Sequence, residues 1–438
     1  MIVRAWPFYP KLEFLTRLVF SGRFDEIGRR LMGRHRVGTI LDRLERLSPI
    51  VGRGPIPAHP WRIAAFIHDS GLSGAPLSLV DLATALTARG LAQVRVLAPS
   101  EGPITAACRA AGLDVIVHGV ELRNLLTRRR WNEAIAHLAD LVRTSAADIV
   151  HANSVMTAPA LAAARLAGIP ALLNVREDRP DQNFFGFLPH DIAIDAFQTL
   201  RTATEVVFVS QASHDGWRRY FASDACRIIP NALRHAGAAT NDRALVRARL
   251  DIDEATTLVL CVGSVCERKG QIDLVGAVAD LPEDLRRRVH VAMVGEAEPA
   301  YLAELRRRID SLGTDLRNAF SLLSAQAQPD SLYRAADVFV CCSRSESFPR
   351  VTIEAMRAGL PIVTTPVSGI VEQLNSDEAI FYPPGDSKRL AEAIARLAED
   401  STLRADLGCR ALAAFARHAD FDAMVDRYVQ SYRRAFQP

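Results

Sequence analysis

Residues 340–372 read VCCSRSESFPRVTIEAMRAGLPIVTTPVSGIVE, and this stretch decides the fold. An apolar run that ends at Cys342 is followed by a polar loop, and Pro349 then opens a helical segment that stops at Gly359. Because proline suits the first turn of a helix and glycine its end, the pattern predicts a strand, a loop and a helix N-terminus. The unpaired N–H groups of such a terminus attract anions, so we expect an anionic group such as a diphosphate at residues 349–352.

Two carboxylates flank this predicted anion site. Glu346 lies on the loop and Glu354 inside the helix, with seven residues between them. Carboxylates repel an anion unless they accept hydrogen bonds, and the hydroxyls of a sugar offer such bonds. The pair therefore indicates a sugar nucleotide as ligand. The alternative is that Glu346 only complements the helix dipole and that Glu354 is a solvated helix residue.

Length and composition are those of a globular protein with several domains. A chain of 438 residues predicts two or three domains, and 49% hydrophobic with 24% charged residues is an ordinary soluble composition. The net charge of +3 is too small to indicate nucleic acid as a partner. No apolar run approaches the roughly eighteen residues of a membrane span, and no signal-peptide core opens the chain, so we expect a cytoplasmic protein.

The seven cysteines form no C-x-x-C pair. Two of them, Cys341 and Cys342, are adjacent in an apolar strand. We therefore expect all seven to be buried thiols in a reducing compartment, and neither disulfides nor zinc ligands.

The N-terminal residues 1–60 form a basic extension, because they hold more Lys and Arg than Asp and Glu. Apolar residues recur at helical spacing in 11–32, with arginines between them. We expect an amphipathic helix that binds an anionic membrane surface, which would place the protein peripherally on the inner face of the cell membrane. The alternative is that this segment packs on its own domain or on a neighbouring subunit. Prolines 55, 57 and 60 then mark a linker.

From Trp61 onward, short apolar runs alternate with amphipathic helical segments. A first series of strands is expected at 62–68, 93–98, 114–117, 148–151, 171–175, 206–209 and 226–229. A second series is expected at 257–262, 289–294, 319–323, 337–340, 361–364 and 379–381. The alternation predicts parallel sheets covered by helices on both faces. We expect doubly wound domains at 61–236 and 237–418, with a ligand cleft between their C-terminal strand edges.

A glycine-containing loop, HDSGLSGAPL at 68–77, follows the first predicted strand. Gly71 and Gly74 allow the backbone to approach a ligand closely, and the helix that follows points its N-terminus at the same place. The alternative is an ordinary turn between a strand and a helix.

The stretch quoted first resembles the donor-binding signature of the retaining glycosyltransferases of family 4. The shared residues are Glu346-Ser347-Phe348-Pro349, Glu354-Ala355-Met356, Ala358-Gly359-Leu360-Pro361, Gly369, Glu372 and Pro383-Pro384-Gly385-Asp386. The resemblance implies the GT-B fold, an α/β architecture of two doubly wound Rossmann-like domains that face an interdomain cleft. It also implies that the final helix, within 419–438, crosses back to the first domain.

The same resemblance implies roles for individual residues. Glu346 is expected to contact hydroxyls of the transferred sugar, Glu354 the ribose, and Lys269 the departing diphosphate. Ser264 stands where the family usually has an arginine, and Arg268 is the candidate replacement for that cation. Glu346 and Lys269 form the expected catalytic pair. The expected donor-binding residues are Gly74, Ser264, Arg268, Lys269, Gly295, Leu322, Glu346, Phe348, Pro349, Arg350, Val351 and Glu354.

Polar residues at the ends of first-domain strands are the candidates for acceptor contacts. They are Asn153, Arg176 and Glu177. Many relatives have a histidine near the position of Arg176, so no histidine role transfers to this chain. The lone His151 is expected to be a structural hydrogen-bonding group.

These observations predict a retaining glycosyltransferase that takes a sugar from a nucleotide diphosphate sugar, for a glycan or lipid-linked acceptor in cell-envelope or exopolysaccharide biosynthesis. No D-x-D motif has supporting ligands, so we expect neither metal nor cofactor and assign the phosphate charge to Lys269, helix termini and Arg268. Two alternatives stay open. One is a nucleotide-sugar epimerase or sucrose-type synthase on the same fold, and the other is a non-catalytic sugar-nucleotide-binding subunit.

Overall fold

The computed structural model describes residues 57, 60–180, 184–234, 243–326 and 329–436. The amphipathic segment 11–32 lies outside these residues, as do nearly all of the basic extension and the predicted domain boundary at 236/237. The membrane surface expected for residues 11–32 therefore stays a prediction.

The first domain is built on a seven-stranded sheet. Its strands are β1 (Trp61–Ile67), β2 (Ala92–Ala98), β3 (Asp114–Val117), β4 (Ile149–Asn153), β5 (Ala171–Val175), β6 (Glu205–Phe208) and β7 (Cys226–Ile228). They lie in the order β3-β2-β1-β4-β5-β6-β7, and every neighbouring pair is parallel.

The second domain repeats this plan with six strands. They are β8 (Thr257–Val262), β9 (Val289–Val294), β10 (Phe320–Leu323), β11 (Val338–Cys341), β12 (Ile362–Thr364) and β13 (Ile380–Phe381). The order is β10-β9-β8-β11-β12-β13, again parallel throughout. Two parallel sheets in succession confirm the predicted doubly wound architecture.

Helices cover both faces of each sheet. The first domain has α1 (Gly74–Ala88), α2 (Pro103–Ala110), α3 (Arg128–Thr144), α4 (Ala158–Ala167), α5 (His190–Leu200) and α6 (Gln211–Trp217). The second has α7 (Arg243–Arg249), α8 (Ile272–Asp280), α9 (Glu283–Arg286), α10 (Pro299–Asp310), α11 (Thr314–Arg317), α12 (Asp330–Ala335), α13 (Arg350–Arg357), α14 (Ser368–Val371), α15 (Ser387–Glu399) and α16 (Ser401–Phe415), before the final helix α17 (Phe421–Ala435). None of the described helices has the length and apolarity that a membrane crossing requires.

The central strands are buried along their whole length because both of their faces are covered. In β9, VHVAMV, every residue is buried, and the same holds for β4 and β5. Such strands form continuous apolar runs instead of alternating ones, which is why their positions follow closely from the sequence.

The strand order reverses direction at one place in each sheet. In the first sheet this switch point lies between β1 and β4, and in the second between β8 and β11. Ligands of open α/β sheets bind beyond the carboxyl ends of the strands at such points. The loops that follow these four strands therefore define the candidate site.

The final helix α17 packs on the first domain, although it follows the second domain in sequence. Its apolar residues join the core beside β1, and the rings of Tyr432 and Trp61 meet edge to face with centroids 6.0 Å apart. Tyr432 Oη is 2.7 Å from His151 Nδ1, and burial lowers the pKa of His151 to about 3. His151 is thus a neutral structural residue at pH 7. The division of the chain at 418/419 stays a prediction.

The prediction for the cysteines is wrong at one position. Six of the seven are buried, but Cys409 is exposed. It lies on α16, where Leu407 and Ala411 face the core. Because successive helix residues are about 100° apart, Cys409, two positions from each of these residues, points toward solvent.

Candidate functional site

The loops that follow β8 and β11 bring Lys269 and Glu346 together. Lys269 ends a short 3₁₀ turn, Glu267–Lys269, and Gly270 completes this turn with a φ of +67°. The Lys269 ammonium donates to Glu346 Oε1, and Ser343 Oγ donates to the same oxygen at 2.5 Å. Lys269 and Glu346, 77 positions apart, thus form one hydrogen-bonded pair, and their catalytic role stays a prediction.

The carboxylate of Glu346 is buried but remains charged. Only 6% of the residue is exposed. Burial favours the protonated acid, but the charges of Lys269 and Arg268 outweigh it, so the pKa of Glu346 is lowered below its ordinary value. The carboxylate is ionised at neutral pH and can accept hydrogen bonds from a ligand.

Arg268 supplies a second positive charge next to this carboxylate. Its Nη1 lies 3.6 Å from Glu346 Oε2 and donates to the Ser345 carbonyl at 3.0 Å. The side chain is 46% exposed, so it also faces solvent. Ser264, at the position where the family has an arginine, contributes no charge, and its carbonyl accepts from Gln271 Nε2 at 2.8 Å.

Helix α13 begins at the predicted anion site. Pro349 precedes its first residue, and no side chain of this N-cap bonds to the helix N–H groups. Asn231 Nδ2 donates to the Phe348 carbonyl and Gln373 Nε2 to the Pro349 carbonyl, both at 2.9 Å. Val351 follows in the first turn, where its carbonyl oxygen lies 3.3 Å from Tyr333 Oη. The backbone at the helix start is thus held from both domains.

Glu354 lies inside α13 and is buried. Its Oε1 accepts from Arg350 Nε at 2.7 Å, and its Oε2 from Tyr333 Oη at 2.9 Å. Arg350 also donates to Asp81 on α1 of the first domain. The burial rules out the alternative of a solvated helix residue, and the ribose contact expected for Glu354 stays a prediction.

The glycine loop of the first domain lies against the second domain. Asp69 shapes it, because its carboxylate accepts from Gly71 N at 2.6 Å and from Ser73 Oγ at 3.0 Å. A Cβ at Gly71 would overlap the carboxylate of Glu296, the residue after Gly295. Gly74 begins α1, and a Cβ there would lie 4.0 Å from the Cβ of Arg350. Gly71 therefore lies against the loop that follows Gly295, and Gly74 lies against the start of α13.

The three acceptor candidates lie together at the ends of β4 and β5. Asn153 Oδ1 accepts from Arg176 Nε at 2.9 Å, and Arg176 Nη1 donates to Asn231 Oδ1 at 2.6 Å. Burial lowers the pKa of the Arg176 guanidinium. Glu177 accepts from Ser154 Oγ and from the N–H groups of Val155 and Arg176, so its carboxylate fixes this loop. Their contact with an acceptor stays a prediction.

Leu322 lies apart from these residues. It is in the edge strand β10, paired with Met293 of β9, and its side chain packs on the second-domain core. It also borders a groove of about 510 Å³ that His290 and Arg306 line. No contact in the described part of the chain joins it to Glu346 or Lys269. Base recognition at Leu322 stays a prediction.

Several contacts between the domains could not be predicted from the sequence. Asp178 Oδ2 accepts from Ser345 Oγ at 3.0 Å and from Ser368 Oγ at 3.1 Å. Glu372 accepts from the N–H groups of Gln211 and Ala212 at 2.8 and 2.7 Å, so it caps helix α6 of the first domain. Glu372 belongs to the quoted motif, but nothing local indicates its partner. In the ranges that the structure covers, no cluster of His, Cys, Asp and Glu could hold a metal ion.

Gly369 fixes the loop that carries Glu346. Its N–H donates to the Glu346 carbonyl at 3.0 Å, and a Cβ on it would overlap the carbonyl of Ser347. We expect Gly369→Ala to shift this loop, to lower stability by about 1–3 kcal/mol and to reduce turnover by about 10²-fold, because small displacements of reacting groups are costly. Thermal unfolding and turnover of the variant measure both effects. Gly74→Ala, where a Cβ meets nothing closer than 4.0 Å, should unfold at the wild-type temperature. Equal melting of all three proteins would contradict this account of Gly369.

Two protein families match the chain, one in each domain. Residues 73–232 match the glycosyl transferase 4-like domain, and residues 242–413 match the glycosyl transferases group 1. The chain belongs to the group 1 glycosyltransferases. The second match contains Lys269, Glu346 and Glu354, and the first contains the glycine loop from Ser73 onward. Membership of this family confirms the resemblance seen in the sequence.

Curated relatives of this group 1 glycosyltransferase match over part of their length. Mannosylfructose-phosphate synthase of Agrobacterium fabrum is 34% identical over 154 residues, which is 34% of each chain. D-inositol 3-phosphate glycosyltransferase of Segniliparus rotundus is 29% identical over 55% of this chain and 54% of its own. Lipopolysaccharide glucosyltransferase WaaG of Escherichia coli is 29% identical over 46% and 55%. The matched region thus spans from a third to just over half of these relatives.

Solved structures share the fold over most of the chain. Anabaena Alr3699/HepE, crystallised with UDP and glucose, superposes with a TM-score of 0.73 at 22% identity and covers 85% of this chain and 99% of its own. The crystal structure of WaaG gives a TM-score of 0.67 at 20% identity, over 84% and 98%. Both likenesses concern the fold, and they confirm the GT-B architecture of this group 1 glycosyltransferase.

Proposed function

We propose that this chain is a retaining, metal-independent glycosyltransferase that moves a sugar from a nucleotide diphosphate sugar to a glycan or lipid-linked acceptor. The observation that carries the proposal is the pair of half-buried Lys269 and buried Glu346 beside the start of α13. It places an ammonium group, an ionised carboxylate and unpaired helix N–H groups at one switch point. These are the groups that a departing diphosphate and a sugar need.

In this proposal the second domain stabilises the leaving group. As the bond between sugar and phosphate breaks, negative charge gathers on the diphosphate oxygens. Lys269 and the N–H groups of residues 350–352 offset that charge beside the buried Glu346, where each donor is worth more than in solution. Arg268, beside the same carboxylate, supplies the second cation in place of the arginine absent at Ser264.

Glu346 orients the sugar through its hydroxyls. In enzymes of family 4 the acceptor is thought to attack on the face from which the diphosphate leaves, and the phosphate itself accepts the proton. The configuration at the anomeric carbon is then retained, and the protein contributes position and charge more than acid–base chemistry. In this proposal the first-domain residues Asn153, Arg176 and Glu177 contribute to the contacts with the acceptor.

The names of the relatives indicate the kind of acceptor. Several of them add sugars in lipopolysaccharide synthesis, such as WaaG and the core glycosyltransferase LpsE of Rhizobium meliloti. We propose a cell-envelope or exopolysaccharide acceptor on the cytoplasmic side of the membrane for this chain as well. A soluble sugar-phosphate acceptor is the competing choice, because mannosylfructose-phosphate synthase is also among the relatives.

A donor-consumption assay tests the proposal. The purified chain is incubated with UDP-, GDP- and ADP-linked hexoses and a mixed glycan and lipid-linked acceptor pool, with and without EDTA. We expect one donor to be consumed only with acceptor, at a rate that EDTA leaves unchanged, and the anomeric NMR signal of the product to show retention. Strict dependence of the rate on added metal would refute metal independence, and a product with inverted anomeric configuration would refute retention.

The same assay separates the alternatives. An epimerase or a sucrose-type synthase converts donor without any polymeric or lipid-linked acceptor, and its product is a nucleotide sugar or a small sugar. A non-catalytic subunit binds the donor, as seen by calorimetry, and turns over none of it with any acceptor pool. Either result would replace the proposed activity.

A further inference from the structure

Arg350 contacts a carboxylate in each domain. Its Nε donates to Glu354 Oε1 at 2.7 Å within α13, and its Nη1 donates to Asp81 Oδ2 on α1. The Arg350 side chain is 16% exposed and that of Glu354 8%, whereas that of Asp81 is 38% exposed. Tyr333 Oη holds the other oxygen of Glu354. Asp81, Arg350, Glu354 and Tyr333 thus form one continuous chain of hydrogen bonds from the first domain into α13 of the second.

The way in which Arg350 holds Glu354 leaves hydrogen-bond acceptor capacity on the carboxylate. A guanidinium beside a single carboxylate tends to bind it through two parallel N–H groups, which occupies both oxygens. Here Asp81 takes Nη1, and only Nε reaches Glu354. Each oxygen of a carboxylate can accept about two hydrogen bonds. Since Arg350 uses one site on Oε1 and Tyr333 one on Oε2, each oxygen keeps one site free.

Two free acceptor sites on adjacent oxygens suit a pair of neighbouring hydroxyls, as on a ribose ring. We propose that Asp81 is a positioning residue for the nucleotide ribose, acting through Arg350 on Glu354. This inference rests on the proposed function, because it takes Glu354 to be the ribose contact. It adds a first-domain residue to donor recognition, and it couples donor affinity to the contact between the domains.

Loss of the Asp81 charge changes this arrangement without exposing an unpaired group. In Asp81→Asn, Arg350 still has Glu354 as its counter-ion, so no buried charge is left alone. The neutral amide oxygen of the variant accepts from Arg350 more weakly than the carboxylate does, so the guanidinium turns two of its N–H groups toward Glu354. The acceptor sites that the ribose needs are lost, whereas the diphosphate site at Lys269 is untouched. The variant should therefore fold and lose affinity only for ligands that carry ribose hydroxyls.

Calorimetry with nucleoside diphosphates tests the inference without turnover. UDP, GDP and ADP are titrated into the wild-type chain, and the tightest of them is compared with its 2′,3′-dideoxy analogue in wild type and in Asp81→Asn. We expect the variant to bind the ribonucleotide about 5- to 20-fold more weakly and the dideoxy analogue equally well. Asp81→Glu should recover most of the affinity. Asp426→Asn, which removes a surface carboxylate bonded to Arg89 at 2.5 Å, is the matched control and should bind like wild type.

Three other outcomes would contradict the proposed role of Asp81. If Asp81→Asn retains wild-type affinity for the ribonucleotide, Asp81 does not position the ribose and only this inference falls. If Asp81→Asn loses affinity equally for the ribonucleotide and the dideoxy analogue, Asp81 supports the fold in general, and the inference is overturned as well. A lowered melting temperature of the variant would accompany that result. If the wild type binds no nucleoside diphosphate, the proposed function fails together with it.

Discussion

Replacement of Lys269 by methionine should lower kcat by about 10²- to 10³-fold, the loss seen when one donor to a developing oxyanion is removed. Methionine keeps most of the length of the side chain but not its charge. The leaving diphosphate then lacks its ammonium partner, and Glu346 stays buried with one cation fewer. Initial rates of donor consumption at saturating acceptor measure the effect.

Two further variants separate catalysis from stability. Arg268→Met removes a charge that lies 3.6 Å from the same carboxylate but is 46% exposed, so its effect should be at most about tenfold. The double variant with Lys269→Met and Glu346→Gln leaves no buried charge unpaired, because Arg268 is 46% exposed, and it should regain thermal stability without regaining activity. A kcat for Lys269→Met within about threefold of wild type would exclude the proposed role of the ammonium.

Glu346→Gln should cost about 10²-fold or more in kcat/KM, because the amide keeps the shape of the side chain but loses the charge that binds sugar hydroxyls. The amide oxygen can still accept from Lys269 and Ser343, so the fold should persist at neutral pH. Donor turnover and the melting temperature at pH 7 test these statements together. Wild-type kcat/KM in Glu346→Gln would show that this carboxylate does not touch the donor.

The acid stability of wild type and Glu346→Gln should also differ. The pKa of Glu346 is lowered in the folded chain, so the unfolded chain binds the proton more readily. The pair with Lys269 therefore stabilises the fold fully above the ordinary carboxyl pKa of about 4.3, and this contribution is lost as pH falls through the lowered value. Denaturant titrations from pH 7 to pH 3 should show a steeper loss for wild type. Parallel curves would mean that Glu346 does not contribute.

The positions of the strands could be predicted from the sequence because each depends on local order. Strand β8 is predicted at 257–262 and found at Thr257–Val262, and β9 is predicted at 289–294 and found at Val289–Val294. Each is a continuous apolar run, which a strand buried on both faces produces. The start of α13 follows in the same way from Pro349 and the polar loop before it.

The contacts between the domains could not be predicted in this way. Arg350 and Asp81 are 269 positions apart, and Glu372 caps a helix that begins 161 positions earlier. Such pairs depend on how two complete domains pack, which no periodicity within a segment records. The resemblance predicts that Lys269 and Glu346 share one site. Their hydrogen bond could not be predicted, because it depends on how the loops after β8 and β11 lie against each other.

The return of α17 to the first domain has a consequence for synthesis on the ribosome. The core beside β1 includes side chains from the last helix, so the domain translated first is also the one completed last. All strands of the second domain precede Phe421 in the sequence, so they are synthesised before α17 leaves the exit tunnel. A nascent chain therefore holds an incompletely covered first-domain core until α17 has emerged, and such exposed apolar surface is prone to aggregation.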